Sequence, residues 1–153
     1  MGEDRSRLEM RVLLDIFQEK ARAMGMKTTP QRLAVYRELA SRRGHPTVEE
    51  IYQALKREMP GLSLATVYRT LRYLEEMGLV KKAPTVDDKM RYEVEMEPHA
   101  HFVCRKCRAI LDVPLVCQEC PELNQWVEKE GVELEEGQLV LYGLCSKCRS
   151  NGL

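Results

Sequence analysis

Ser63-Leu64-Ala65-Thr66-Val67-Tyr68-Arg69-Thr70-Leu71 is the stretch on which the fold turns. A serine ahead of an apolar-periodic run starts a helix, because its hydroxyl can accept a first-turn backbone N–H. Val67, Leu71 and Leu74 then recur at helical spacing, the inward stripe of a helix from Leu64 to Met77 that Gly78 stops. Ala65, Thr66, Tyr68, Arg69 and Arg72 are left toward the N-terminal end and outer face. Small residues, an aromatic ring and cations make an odd solvated surface. They suit a helix that reads a DNA groove.

Upstream, Thr29-Pro30 sets a capping residue before proline at the first helical position and opens a helix to about Arg42, with Leu33, Val35/Tyr36 and Leu39 inward. Gly44-His45-Pro46 breaks the chain, and Thr47-Val48-Glu49-Glu50 is a capping box for a third helix burying Val48, Ile51 and Leu55. A first helix spans about Ser6 to Met24 on the spacing of Leu8, Val12, Ile16 and Phe17. Downstream, Leu79–Lys82 and Met90–Val94 read as strands around the turn Thr85–Asp88. Helices followed by a hairpin in this order describe a winged helix-turn-helix over residues 1–94.

The second half changes character. After a hinge at 95–98, His99–Val103, Ile110–Pro114 and Leu139–Leu144 read as strands and Pro121–Glu130 as a helix with Leu123, Trp126 and Val127 inward. Residues 99–153 thus form a small α/β domain, and the whole chain is α+β.

Six cysteines fall in three Cys-x-x-Cys pairs, 104/107, 117/120 and 145/148. Two-residue spacing is the grip thiolates use on zinc, and four of them close a structural site. Cys104 and Cys107 need a second pair. Cys117/Cys120 is local; Cys145/Cys148 is distant and removes more unfolded-chain entropy, which favours it. A second donor set gathers His99 and His101, alternate residues on one strand face, with Asp112, Glu93 and His45. Imidazoles mixed with carboxylates suit Fe(II), Mn(II), Co(II) or Zn(II) rather than calcium or magnesium. His45 belongs to the other domain, so binding there is expected to close the hinge.

Composition bounds the rest. The 153 residues are 44% hydrophobic and 31% charged with a formal net charge of zero, as in a globular protein. Residues 1–96 carry 18 Lys+Arg against 15 Asp+Glu, while 97–153 carry 6 against 9, a sign that suits a nucleic-acid-facing first half. No apolar run approaches the ~20 residues of a membrane span, and the first residues lack an apolar signal core. A cytoplasmic protein with no membrane partner is expected.

At Thr29-Pro30-Gln31-Arg32, Gly44-His45-Pro46-Thr47, Ser63–Leu71 and His99-Ala100-His101-Phe102-Val103-Cys104-Arg105-Lys106-Cys107 the sequence resembles the ferric uptake regulator family. The resemblance runs from about Lys27 to Cys148. It implies a homodimeric repressor, not an enzyme, with a winged-helix domain and an α/β dimerisation domain. It implies structural zinc on Cys104, Cys107, Cys145 and Cys148, and a regulatory Fe(2+) or Mn(2+), with Zn(2+) also possible, on His45, Glu93, His99, His101 and Asp112. It maps DNA contacts onto Tyr68 and Arg69 in the recognition helix and onto Lys27 as a groove or phosphate contact; Gln31, Arg32, Ser63, Ala65 and Thr66 complete the expected DNA-binding set, on an A·T-rich palindromic double-stranded operator. His-x-His with Asp112 resembles the peroxide-sensing branch, in which His45 or His99 would be the oxidised ligand. Glu93, where that branch often has aspartate, resembles the iron-sensing branch. A zinc- or manganese-responsive member of the family is the nearest alternative; a non-heme metalloenzyme and a metal-trafficking protein are the rivals from other classes. Cys117 and Cys120 match no role in the family.

Overall fold

The computed structural model describes residues 2–42, 44–94, 99–114, 120–135 and 137–150. It divides into two units, Met1–Met96 and Glu97–Leu153. The hinge expected at 95–98 and Cys117 lie outside the described residues.

The first unit contains α1 (Gly2–Ala23), α2 (Pro30–Ser41), α3 (Val48–Leu55), α4 (Leu64–Glu76), β1 (Lys81–Val86) and β2 (Lys89–Glu93). Its helix starts are fixed by local chemistry. The Thr29 and Ser63 side chains accept the Arg32 and Thr66 backbone N–H groups. Thr47 and Glu50 complete a reciprocal capping box. Val35, Tyr36, Leu39, Val48, Ile51, Val67, Leu71, Leu74 and Tyr92 converge in one core against Phe17 and Ala21 of α1. On α1 the inward stripe is Phe17 and Ala21; Leu8, Val12 and Ile16, also at helical spacing, are exposed.

The hairpin differs from its expected bounds. Leu79 and Val80 are buried core residues ahead of β1 rather than strand residues, and the strand runs on through Pro84 and Thr85. The turn is only Asp87-Asp88, with φ 58° and 56°. Positive φ at both central residues is the two-residue turn whose twist matches flanking antiparallel strands. β2 also ties back to the loop before α3. The Tyr92 N–H donates to Pro46 O at 3.2 Å and the Arg91 guanidinium to His45 O at 2.9 Å.

The second unit contains β3 (Ala100–Cys104), β4 (Ile110–Val113), α5 (Pro121–Glu130), β5 (Val140–Gly143) and a short α6 (Ser146–Ser150). The sheet order is β4-β3-β5, with β3 antiparallel to β4 and parallel to β5. Register puts Phe102 between Leu111 and Leu141, and His101 between Asp112 and Val140. Directly paired residues share a sheet face. One face therefore carries Phe102, Leu111 and Leu141, and the other carries His101 and Asp112. The expectation that Leu123, Trp126 and Val127 point inward is corrected: α5 buries no residue, and Trp126 is 52% exposed.

Candidate metal centre and nucleic-acid interface

The thiolates come together as their spacing and the loop-closure argument suggested. Cys104 ends β3, Cys107 lies in the tight turn closed by the Arg108 N–H on Cys104 O, and Cys145 comes two residues after the end of β5. Parallel pairing of β3 with β5 sets Gly143 opposite Cys104, which delivers Cys145 to the knuckle. The four sulfurs of Cys104, Cys107, Cys145 and Cys148 lie within 4.8 Å of one another, with Cys107 Sγ and Cys145 Sγ at 3.7 Å. Four thiolates about 2.3 Å from a tetrahedral ion would be about 3.8 Å apart, so the set fits zinc. The Cys104 thiol is pulled down to about 6 by backbone N–H groups of Cys107 and Cys145, the latter 3.4 Å from its sulfur. Sulfur crowding has the opposite effect on Cys148, pushed up to about 12 by hydrogen bonding to Cys107 first and by burial next. A thiol lowered at Cys104 beside one raised at Cys148 is a contrast that a metal removes, because a bound cation favours the thiolate form. Cys120, from the local pair, instead approaches Glu122 at 3.8 Å at the start of α5.

Each unit brings imidazole and carboxylate donors together. In the first unit His45 Nε2 meets Glu93 Oε2 at 2.8 Å. In the second, His99 Nε2 and His101 Nε2 face each other at 3.1 Å, with Asp112 Oδ1 at 3.7 and 3.9 Å. Two nitrogens about 2.1 Å from one cation would stand about 3.0–3.4 Å apart, so this edge suits a metal. The strand register explains it: His99 and His101 are two residues apart and Asp112 is the cross-strand partner of His101. The side-chain amide of Gln138 lies 3.5 Å from His101 Nδ1, the ring nitrogen turned away from the other donors. Gln138 has no motif to betray it in the sequence; only the 3.5 Å contact does.

The DNA-facing candidates divide by what occupies them. Ala65, Tyr68 and Arg69 line an open groove along α4 together with Arg72, Tyr73 and Glu76. Ser63 and Thr66 are partly used in the α4 cap, their hydroxyls 2.8 Å apart. Arg32 donates to Lys27 O at 2.7 Å and lies 4.4 Å over the Tyr73 ring, while Gln31 reaches Gly61 O at 3.5 Å. Tyr68 donates its hydroxyl to Glu49 Oε1 at 2.8 Å, a partner that sequence reading saw only as part of a capping box.

A winged-helix unit joined to a unit with a four-thiolate cluster, with imidazole and carboxylate donors in both, makes a metal-responsive transcription regulator. The ferric uptake regulator family model matches residues 23–142, and the chain belongs to that family. It is similar to the peroxide-responsive repressor PerR of Staphylococcus epidermidis, 36% identical over 132 residues, covering 86% of this chain and 87% of that one. The Staphylococcus aureus protein of the same name is 34% identical over 133 residues, covering 84% and 86%. Among solved structures, the Helicobacter pylori ferric uptake regulator Fur superposes with a TM-score of 0.72 at 25% identity, covering 92% of this chain and 93% of that one. A zinc uptake regulator complexed with zinc and DNA gives 0.65 at 26% identity, covering 93% and 96%. The family's members are regulators that bind DNA as dimers, not enzymes. No described helix is long and apolar enough to cross a membrane.

Proposed function

We propose that this chain is a cytoplasmic, homodimeric repressor of iron- or peroxide-stress genes. Its regulatory Fe(2+) or Mn(2+) is held jointly by His45 and Glu93 from the first unit and His99, His101 and Asp112 from the second. The observation that carries the reading is that each unit gathers its own share of the donors at ligand-like spacing, 2.8 Å for His45–Glu93 and 3.1 Å for His99–His101. A donor set split between units makes affinity for the cation depend on their arrangement, and by linkage the cation sets that arrangement. Loss of the cation, or oxidation of His45 or His99, then weakens the grip on DNA.

On the DNA, Tyr68 and Arg69 of α4 serve as the major-groove reading residues, and Lys27, Gln31, Arg32, Ser63, Ala65 and Thr66 flank them with phosphate and groove contacts. Two copies related by a two-fold axis match a palindromic operator, here an A·T-rich one. Exposed Leu111 and Leu141, flanking the half-buried Phe102, and the unburied α5 supply apolar surface for the partner copy. The peroxide-responsive repressors at 34–36% identity favour the oxidation-sensing version.

The test is fluorescence anisotropy on an A·T-rich palindromic duplex with Fe(2+), Mn(2+) and Zn(2+) in turn, followed by peroxide. Tight binding only with metal is expected, with peroxide releasing the iron form and adding oxygen to a histidine by mass spectrometry. His45→Ala should abolish the metal dependence. Unchanged metal dependence in that variant sinks the shared site.

A further inference from the structure

Tyr68 lines the α4 groove, yet its hydroxyl is not free to search for a partner. It donates to Glu49 Oε1 at 2.8 Å. Glu49 is the second residue of α3, where backbone N–H groups favour a negative charge. Its carboxyl is held below the usual glutamate range, by its own backbone N–H first and by the Tyr68 hydroxyl next. Reciprocally, that bond keeps the phenol protonated, with its pKa raised. A hydrogen bond to an ionised acceptor is roughly twice as strong as a neutral one, so the tether is firm. The anchor itself is fixed, because α3 starts at a completed capping box and the loop before it is bonded to β2 through Pro46 O and His45 O.

The hydroxyl oxygen of tyrosine lies on the long axis of its ring, so pinning it fixes χ1 and the place of the ring and leaves only rotation about that axis. With the hydroxyl committed to Glu49, Tyr68 keeps no donor for a base acceptor, and beside the oxygen's lone pair it offers only the carbon atoms of its ring. The thymine C5-methyl is the apolar mark on a major-groove base edge. We infer that Glu49 is a specificity-determining positioning residue: it anchors the Tyr68 hydroxyl so that α4 presents an apolar ring to a thymine methyl. The inference rests on the reading of α4 as the helix that enters the DNA groove.

The experiment uses the full-length metal-loaded protein and a duplex that it selects from a randomised pool. Each thymine in that duplex is then replaced singly by uracil, which deletes only the methyl group. Wild type is expected to lose about fourfold in affinity at one position per half-site, the weight of one buried methyl group. Tyr68→Phe and Glu49→Ala should each erase most of that sensitivity, and the double variant should lose no more than either. Glu49→Gln, which keeps an acceptor, should restore it. Circular dichroism and metal content establish that each variant is folded and loaded. Loss of the sensitivity in Tyr68→Ala, with retention in both Tyr68→Phe and Glu49→Ala, overturns the positioning role. Absence of selection by wild type, or full sensitivity in Tyr68→Ala, overturns instead the assignment of α4 and Tyr68 as the reading elements.

Discussion

Cys107 Sγ and Cys145 Sγ stand 3.7 Å apart although 38 residues separate them in the chain. That closure joins the end of β3 to the end of β5, and a structural zinc on such a set contributes roughly 10–16 kcal/mol of folding free energy. A strong chelator or Cys145→Ser should therefore remove one zinc per chain and melt the second unit. Cys120→Ser should leave zinc content intact. Elemental analysis alongside circular dichroism measures both, and zinc lost from Cys120→Ser alone would reassign the cluster.

Gly143 sits beneath the Phe102 ring. A Cβ placed there would lie 3.0 Å from Phe102 Cε2 and 3.2 Å from Cζ. Gly143→Ala should displace the ring and cost about 1–3 kcal/mol, the usual range for overpacking. In a Phe102→Ala background the same change should be close to neutral. Thermal denaturation of the four-member cycle reads the coupling directly.

The wing turn places two aspartates at φ 58° and 56°. Left-handed backbone costs an L-residue up to about 1–2 kcal/mol, less for aspartate, and glycine carries no such strain. Asp88→Gly should raise the denaturation midpoint by an amount corresponding to at most about 1 kcal/mol. Asp88→Val, branched at Cβ, should lower it.

Gln138 faces His101 Nδ1 at 3.5 Å. The atom placed there is the amide nitrogen; with the amide turned over, its carbonyl accepts Nδ1–H and leaves the Nε2 lone pair for a cation. Outer-shell partners of this kind are worth about 10–100-fold in metal affinity. Gln138→Leu should weaken Mn(2+) binding by that order, and Gln138→Glu should retain or tighten it. Titration followed by Mn(2+) paramagnetic resonance gives the affinity, and equal values for all three proteins would refute the role.

What could be read from sequence was what is local. Thr29, Thr47 and Ser63 announce their helices because a cap and its partner lie within three residues. The cysteine pairs are legible because tetrahedral thiolate chemistry imposes its own spacing, with loop closure favouring Cys145/Cys148 over Cys117/Cys120 as partner of Cys104/Cys107, and His99 and His101 because strand alternation does. Contacts across the chain leave no such trace. Nothing in the order of residues says that Glu49 meets Tyr68, that Gln138 backs His101, or that α1 turns Phe17 and Ala21 inward while Leu8 and Val12 stay outside. Leu79 and Val80 looked like strand because they are apolar after a helix stop, yet the core takes them first. For Leu123 and Trp126 the pattern signalled burial, and one chain alone does not provide it.

The bare flank of α5 has a kinetic and thermodynamic corollary. When a module's apolar surface is shielded only by its twin, its folding becomes second order in chain, and its stability rises with the logarithm of concentration. Dilution alone should then loosen the carboxy-terminal half while the amino-terminal half holds. The cell's stock of the regulator would thus set how much of it is assembled, before any metal or oxidant is counted.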